Sequence, residues 1–219
     1  MIAIIDYDAG NLTSVARAVS HLGFSSTVTN NIEKIRHAER IIFPGVGAAG
    51  SAMESLKRAG LDGALEETFA MGKPILGICL GTQIIMSKSE ENETICLGFI
   101  SGTTRAFPAD MSSESGKALK IPHMGWNRIH VKNAHPLLKG LHPESEFYFV
   151  HGFYPDPLDP ACIVATTNYG ICFASIIGFK NLFATQFHLE KSGKPGLKIL
   201  DNFCRWRPTD PVKVNGQRP

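Results

Sequence analysis

The stretch GKPILGICLGTQ, residues 72–83, places Cys79 between two glycines, Gly77 and Gly81, each two positions away. An apolar, strand-like run enters this G-x-C-x-G and a helix-like run leaves it. The spacing matches the nucleophile elbow usually written with serine, a sharp strand-to-helix turn that exposes its central side chain while small flanking residues let the backbone pass close by. A helix beginning at Cys79 would favour the thiolate, because unpaired N–H groups and the macrodipole stabilise negative charge there. The plainer reading is a small buried side chain beside two packing glycines, the usual state of a free cysteine. The pattern alone leaves both readings open, and nucleophilic chemistry needs a base.

Among the eight histidines, His21 and His37 fall in helical patterns. His135 and His142 precede prolines in a turn-rich segment and read as solvated surface residues. His123, His130, His151 and His188 remain. His188 ends the apolar run in FATQFHLEK with Glu190 two positions on. In an extended chain residues i and i+2 point to one face, so Glu190 could orient the imidazole of His188 towards a thiol. A His-x-Glu taken blindly is more often a surface pair, so cysteine, base and carboxylate are candidates until something assembles them.

The elements that would position them alternate in the first half of the chain. IAIIDY reads as a strand, followed by a helical NLTSVARAVSHLG in which Leu12, Val15, Ala16 and Val19 share a face and Gly23 ends the run. STVTN leads to NIEKIRHAER, RIIFPGVG to GSAMESLKRAG, and KPILGIC to a helix over TQIIMSKS. Such alternation implies a largely parallel sheet with helices on both faces. From Gly98 onward strands dominate: GFISGTTRAF, PHMGWNRIHV, EFYFVHGFY and CIVATTNYG, then CFASIIGF and NLFATQFHLE joined in a hairpin around Lys180 and Asn181. One helix follows near GLKILDNFCRW. PADMSSESGKALK reads as an exposed loop, and RPTDPVKVNGQRP is too polar and proline-rich to pack. The expected fold class is α/β, a flavodoxin-like open mixed sheet with its catalytic loops at the carboxyl ends of the parallel strands.

Composition narrows the function classes. A chain of 219 residues, 43% hydrophobic, can bury one full core, so we expect one domain over residues 1–206 and a polar tail over 207–219. Twenty-two basic and 20 acidic residues are scattered without a basic block, which argues against a nucleic-acid partner. No apolar run approaches bilayer length, and Asp6 and Asp8 come too early for a secretory segment, so no membrane partner and a cytoplasmic location are expected. The five cysteines lack a CxxC or other ligand spacing, which predicts free thiols and no metal. Walker A, Rossmann and phosphate-loop motifs are missing, and no cofactor is expected.

Taken in order, PGVGAAGSAM, LGICLGTQ, PHMGWN, FYFVHGFY and ATQFHLEKSG resemble the class I (triad) glutamine amidotransferases, most nearly the glutaminase subunits of imidazole glycerol phosphate synthase. The likeness runs from DYDAGNL to LKILDNF, and five collinear motifs are far more specific than any one. It implies that Cys79 attacks the side-chain amide of glutamine, with His188 as general base and acid and Glu190 holding it. Backbone N–H groups of Leu80 and Val46 would meet the oxyanion. Glutamine recognition maps onto Gly47, Gln83, Glu91 and the His151-Gly152-Phe153 segment, the plain alternative being that Gln83 and Glu91 are solvated residues at the start and end of the helix after the elbow and PGVG an ordinary strand-end turn.

Two segments depart from the family pattern. Many relatives read His-Pro-Glu-Lys where this chain has Leu189, and His-Ser-Tyr-Tyr where it has Gly152 and Phe153. The resemblance also implies a partner, because ammonia released into neutral water is mostly protonated and no stretch remains for a synthase domain. That partner is a cyclase subunit, a (β/α)₈ barrel, with Asn11, Trp126, Tyr148 and Lys191 at or near the interface. Core packing is the rival reading for Trp126 and Tyr148. A paralogous subunit feeding another acceptor, such as a modified-sugar pathway, or a non-catalytic flavodoxin-like regulator would share much of this pattern.

Overall fold

Ile2–Ile5, Ile75–Cys79 and Leu182–Thr185 are short runs rich in apolar residues and buried at every position, the pattern of strands covered on both faces. The structure, a computed structural model, describes residues 1–8, 10–112, 116 and 118–208. In chain order its main elements are β1 (Ile2–Ile5), α1 (Leu12–His21), β2 (Ser26–Thr29), α2 (Ile32–His37), β3 (Arg40–Gly45), α3 (Ala49–Ala59), α4 (Leu61–Ala70) and β4 (Ile75–Cys79). There follow α5 (Leu80–Ile84), β5 (Met86–Ser89), β6 (Thr94–Ile95), β7 (Ile100–Ala106), β8 (His123–Arg128), β9 (His130–Val131), β10 (Glu146–His151) and β11 (Phe153–Pro157). β12 (Ile163–Tyr169), β13 (Ile171–Phe179), β14 (Leu182–Thr185) and α6 (Gly193–Arg205) complete the chain.

The main sheet runs β2-β1-β3-β4-β14-β13-β12-β9. Its first five strands are parallel, and β13, β12 and β9 extend it antiparallel. One face packs against α1 and α6 through Val15, Val19, Ile199, Leu200 and Phe203. The other packs against α2, α3 and α4 through Ile35, Met53, Leu56 and Leu65. Each of these fully buried side chains contributes about 2 kcal/mol of transfer free energy. The expected hairpin is present, with β13 against β14 and Lys180 at φ 53° in the turn.

Several expectations are corrected. The helix over TQIIMSKS stops at Ile84, and Met86–Ser89 form β5, parallel to β7 and antiparallel to β6 in a second sheet ordered β11-β7-β5-β6. Every residue from Cys79 to Met86 is buried, so no solvent face exists to support an amphipathic helix, and strand pairing overrides a weak local preference. EFYFVHGFY is two strands: β10 pairs with β8, β11 pairs with β7, and Gly152 is where the chain changes sheets. The segment 61–70, unread in the sequence, is a helix set off from α3 by Gly60 in the left-handed region.

His135 is not a solvated surface residue. Its ring packs against Phe183 at 4.6 Å and Trp206 at 5.3 Å, and burial pushes its pKa down to about 4. In the expected exposed loop, Met111 is buried in the core, while Ser113, Glu114, Ser115 and Lys117 lie outside the described residues. So does most of the expected tail, from residue 209 on. Among the described residues no helix is long and apolar enough to cross a membrane.

Candidate active site

β3 and β4 run side by side in a register that sets Gly45 opposite Cys79, and β14 pairs Thr185 with Ile78 on the other side. Three carboxyl-terminal strand ends therefore meet at the sulfur. Cys79 itself has φ 53° and ψ −105°, a conformation that non-glycine residues avoid, held only because its surroundings determine it. The two glycines explain how the turn closes. A Cβ at Gly81 would lie 1.9 Å from the carbonyl oxygen of Phe43, and one at Gly77 would lie 2.8 Å from the Ala184 Cβ. Thr82 Oγ1 donates to the Thr185 carbonyl at 2.6 Å, tying the elbow to β14. α5 has five residues, so its macrodipole is small and its first free N–H groups, including that of Leu80, are what remains of the expected helix effect.

His188 and Glu190 meet, though not as residues of a strand. β14 ends at Thr185, His188 caps a 3₁₀ turn over Leu189–Lys191, and that turn brings Glu190 Oε1 to 2.7 Å from His188 Nδ1. Both side chains are 1% exposed. Burial, the largest single influence, opposes charge on the ring, but the Cys79 sulfur and the Glu190 carboxylate together outweigh it and raise the pKa to about 9. Nε2 of His188 faces no hydrogen-bond partner in ideal geometry, so its interaction with the Cys79 sulfur is long or bent. Leu189 stands where many relatives carry proline. It is fully buried in the core, at the first position of the 3₁₀ turn, where proline would also fit.

Asn11, expected at the partner interface, also donates its amide to Glu190 Oε1. Trp126, Tyr148 and Lys191 form one cluster. Tyr148 pairs with Trp126 across β10 and β8, their rings 5.9 Å apart, and Lys191 Nζ lies 6.0 Å from the Tyr148 ring. Trp126 is 55% exposed, as is its neighbour along the same face of β8, Met124, at 62%. Core packing therefore does not account for Trp126. Met124 was missed because a methionine in a strand-like run ordinarily reads as core.

The glutamine-binding candidates occupy several surroundings. Gly47 has φ 110° and open space where a side chain would stand, directly after Val46, which is 38% exposed. Gln83 donates to the Phe153 carbonyl at 2.9 Å and contacts Gln186 Oε1 at 3.3 Å. Glu91 lies on a 3₁₀ turn beyond β5, not on a helix after the elbow, and accepts from the Ala49 N–H at 2.6 Å, anchoring the start of α3 two residues past Gly47. His151 turns its ring inward, with Nδ1 2.8 Å from the Phe153 carbonyl and Nε2 3.0 Å from His123. The Gly152 carbonyl accepts from the Phe107 N–H at 3.2 Å.

Two further residues went unread. Gln186 is fully buried and directs its amide nitrogen at Cys79 Sγ, 3.8 Å away; its signal was a polar residue closing an apolar run two positions before His188. Tyr7 donates to the Pro44 carbonyl at 2.8 Å, and its hydroxyl fills the place where a Gly45 Cβ would come within 2.0 Å. Burial and the nearby Cys79 sulfur push its pKa up. His123, one of the four histidines kept as candidates, is 2% exposed and lies against His151, not against the Cys79 sulfur.

Comparison with known proteins agrees with this geometry. The family described as glutamine amidotransferase class-I matches residues 3–206. A protein of Desulfovibrio desulfuricans named imidazole glycerol phosphate synthase subunit HisH is 50% identical over 206 residues, covering 94% of each chain. One of the same name from Methylococcus capsulatus is 46% identical, covering 94% of this chain and 97% of its own. Among solved structures, a glutamine amidotransferase superposes with TM-score 0.68 at 14% identity over 93% of this chain and all of its own. PurLQS from Thermotoga maritima superposes with TM-score 0.66 at 20% identity, over 93% and 97%. At those identities the structures speak for the fold alone. The chain belongs to the class-I glutamine amidotransferases.

Proposed function

We propose that this chain is the glutaminase subunit of imidazole glycerol phosphate synthase, working in the cytoplasm with a cyclase subunit that consumes its ammonia in histidine biosynthesis. The observation that carries the glutaminase half is Cys79 at φ 53° on a glycine-closed elbow, beside an imidazole held 2.7 Å from a buried carboxylate. The relatives at 46–50% identity support the choice of acceptor.

In this reading the thiolate of Cys79, the nucleophilic form of any cysteine, attacks the side-chain carbonyl carbon of glutamine. The oxygen that gains charge is met by the N–H groups of Leu80 and Val46. His188, protonated around neutral pH because its pKa is raised to about 9, gives its proton to the departing ammonia. It then takes one from the water that cleaves the thioester to glutamate. Glu190 keeps the ring oriented, and Gly47, Gln83, Glu91 and the segment 151–153 surround the substrate. Trp126, Tyr148, Lys191 and Asn11 face or flank the cyclase, an assignment supported by the exposure of Trp126 beside the catalytic turn. One glutaminase domain over 1–206 with a tail from 207 belongs to the same proposal.

The test is glutamine-dependent and ammonia-dependent synthesis by the assembled complex. Cys79→Ala should abolish the first and spare the second. Continued use of glutamine by that variant would overturn the assignment.

A further inference from the structure

His123 lies on β8 opposite His151 on β10, is 2% exposed, and has no part in the reaction just described. Its ring is clamped between two others. Tyr169 stacks on it at 4.0 Å and 24°, Phe149 at 4.8 Å and 25°. With the plane fixed, the freedom left to the imidazole is which nitrogen bears hydrogen.

The hydrogen bonds settle that from both ends. At one end the Phe153 carbonyl can only accept, so His151 Nδ1, at 2.8 Å, must carry hydrogen. A neutral His151 then has a bare Nε2, and His123 Nδ1, 3.0 Å away, must be the donor to it. At the other end, Asn127 is oriented by the backbone: its amide nitrogen donates to the Asn168 carbonyl at 3.0 Å and its oxygen accepts from the Arg128 N–H at 2.8 Å. That same nitrogen faces His123 Nε2 at 3.3 Å, which must be bare to accept. Both ends therefore demand the same state, two neutral rings with hydrogen on Nδ1. Burial, which pushes the pKa of His123 to about 4 and of His151 to about 3, is consistent with this.

The chain of bonds ends on the glutamine-binding segment. The Phe153 carbonyl receives the His151 ring and also the Gln83 amide, and Gln83 in turn contacts Gln186 beside the Cys79 sulfur. Gly152, between them, has no side chain with which to hold itself. We propose that His123 is a positioning residue for glutamine binding: by donating from Nδ1 it keeps His151 in the tautomer that fixes the Gly152–Phe153 backbone against Gln83. This rests on the glutaminase reading above.

Two measurements test it. In the full-length protein at neutral pH, the ring nitrogen shifts of His123 and His151 should both report hydrogen on Nδ1 and a bare Nε2, the less populated tautomer of free histidine. Hydrogen on Nε2 of either ring would overturn the proposal without any substitution. In the complex with the cyclase subunit, His123→Phe keeps a stacked ring and removes both nitrogens. It should raise KM for glutamine about tenfold while kcat stays within about threefold. His123→Asn, whose amide nitrogen can stand near the place of Nδ1, should recover most of the loss. A folded His123→Phe variant with wild-type KM would sink the positioning role. Failure of the unmodified complex to hydrolyse glutamine at all would instead sink the glutaminase reading, and it is seen before any variant is made.

Discussion

His188 and His151 are almost equally buried, 1% and 4% exposed, yet they are driven in opposite directions. Burial disfavours charge on both rings. At His188 a carboxylate at 2.7 Å and a neighbouring sulfur reverse that and raise the pKa to about 9. At His151 the neighbours are a neutral imidazole and a carbonyl, and the pKa falls to about 3. Shared burial does not make two histidines chemically alike; the charge of their partners decides. One ring is kept ready to give up a proton, the other is kept from ever gaining one.

The largest effect should come from removing the two neighbours that raise the His188 pKa, Cys79 and Glu190. Cys79→Ala should lower glutaminase activity by at least about 10⁴-fold, and the same variant should lower the His188 pKa, read from its ring carbon shifts across pH. A pKa left near 9 would show that the sulfur does not set it. Glu190→Gln keeps the shape and removes the charge, and should cost about 10²–10⁴-fold in kcat with a further fall in the same pKa. An unchanged pKa would remove the basis of the contrast.

Stability against pH should separate the two sites. The pKa values of His123 and His151 are lowered, so their contribution is complete above about pH 6.5. It drains as pH falls towards about 4 and 3, where the folded rings are finally forced to charge. Full loss is on the order of 3 kcal/mol for His123 and about 5 kcal/mol for His151. The raised pKa of His188 works the other way: its contribution is complete below 6.5 and is lost as pH rises through about 9. Melting temperatures of wild type and His151→Gln across pH 3 to 7 check this, since the variant should lose part of the acid-side slope.

The smallest effect should be that of Gly152→Ser, which restores the hydroxyl many relatives carry. A Cβ there meets Ile121 Cγ2 at 3.8 Å, ordinary contact, so stability should change by less than about 0.5 kcal/mol and KM for glutamine should hold or fall. A large rise in KM would mean that the segment tolerates no side chain at 152.

The main sheet, most of its helices and the grouping of Cys79, His188 and Glu190 were legible in the sequence because each leaves a local trace: buried β-branched runs, G-x-C-x-G, and a polar pair ending an apolar strand. What was not legible depends on pairing between distant segments. TQIIMSKS becomes a strand because β7 arrives beside it, and His135 is half-buried because Phe183 and Trp206 converge on it. His123 gave no sign of its role, since a tautomer is set by partners on other strands. The His188–Glu190 contact was anticipated from strand geometry but is made by a turn, so two residues apart sufficed for a reason other than the one that suggested them.

The Thr82–Thr185 hydrogen bond joins residues 103 positions apart, and the elbow is wedged between strands on both sides. The elbow is therefore complete only when β14 lies beside β4, so closing the sheet and assembling the turn that carries Cys79 are one event, and fraying at β14 loosens both together.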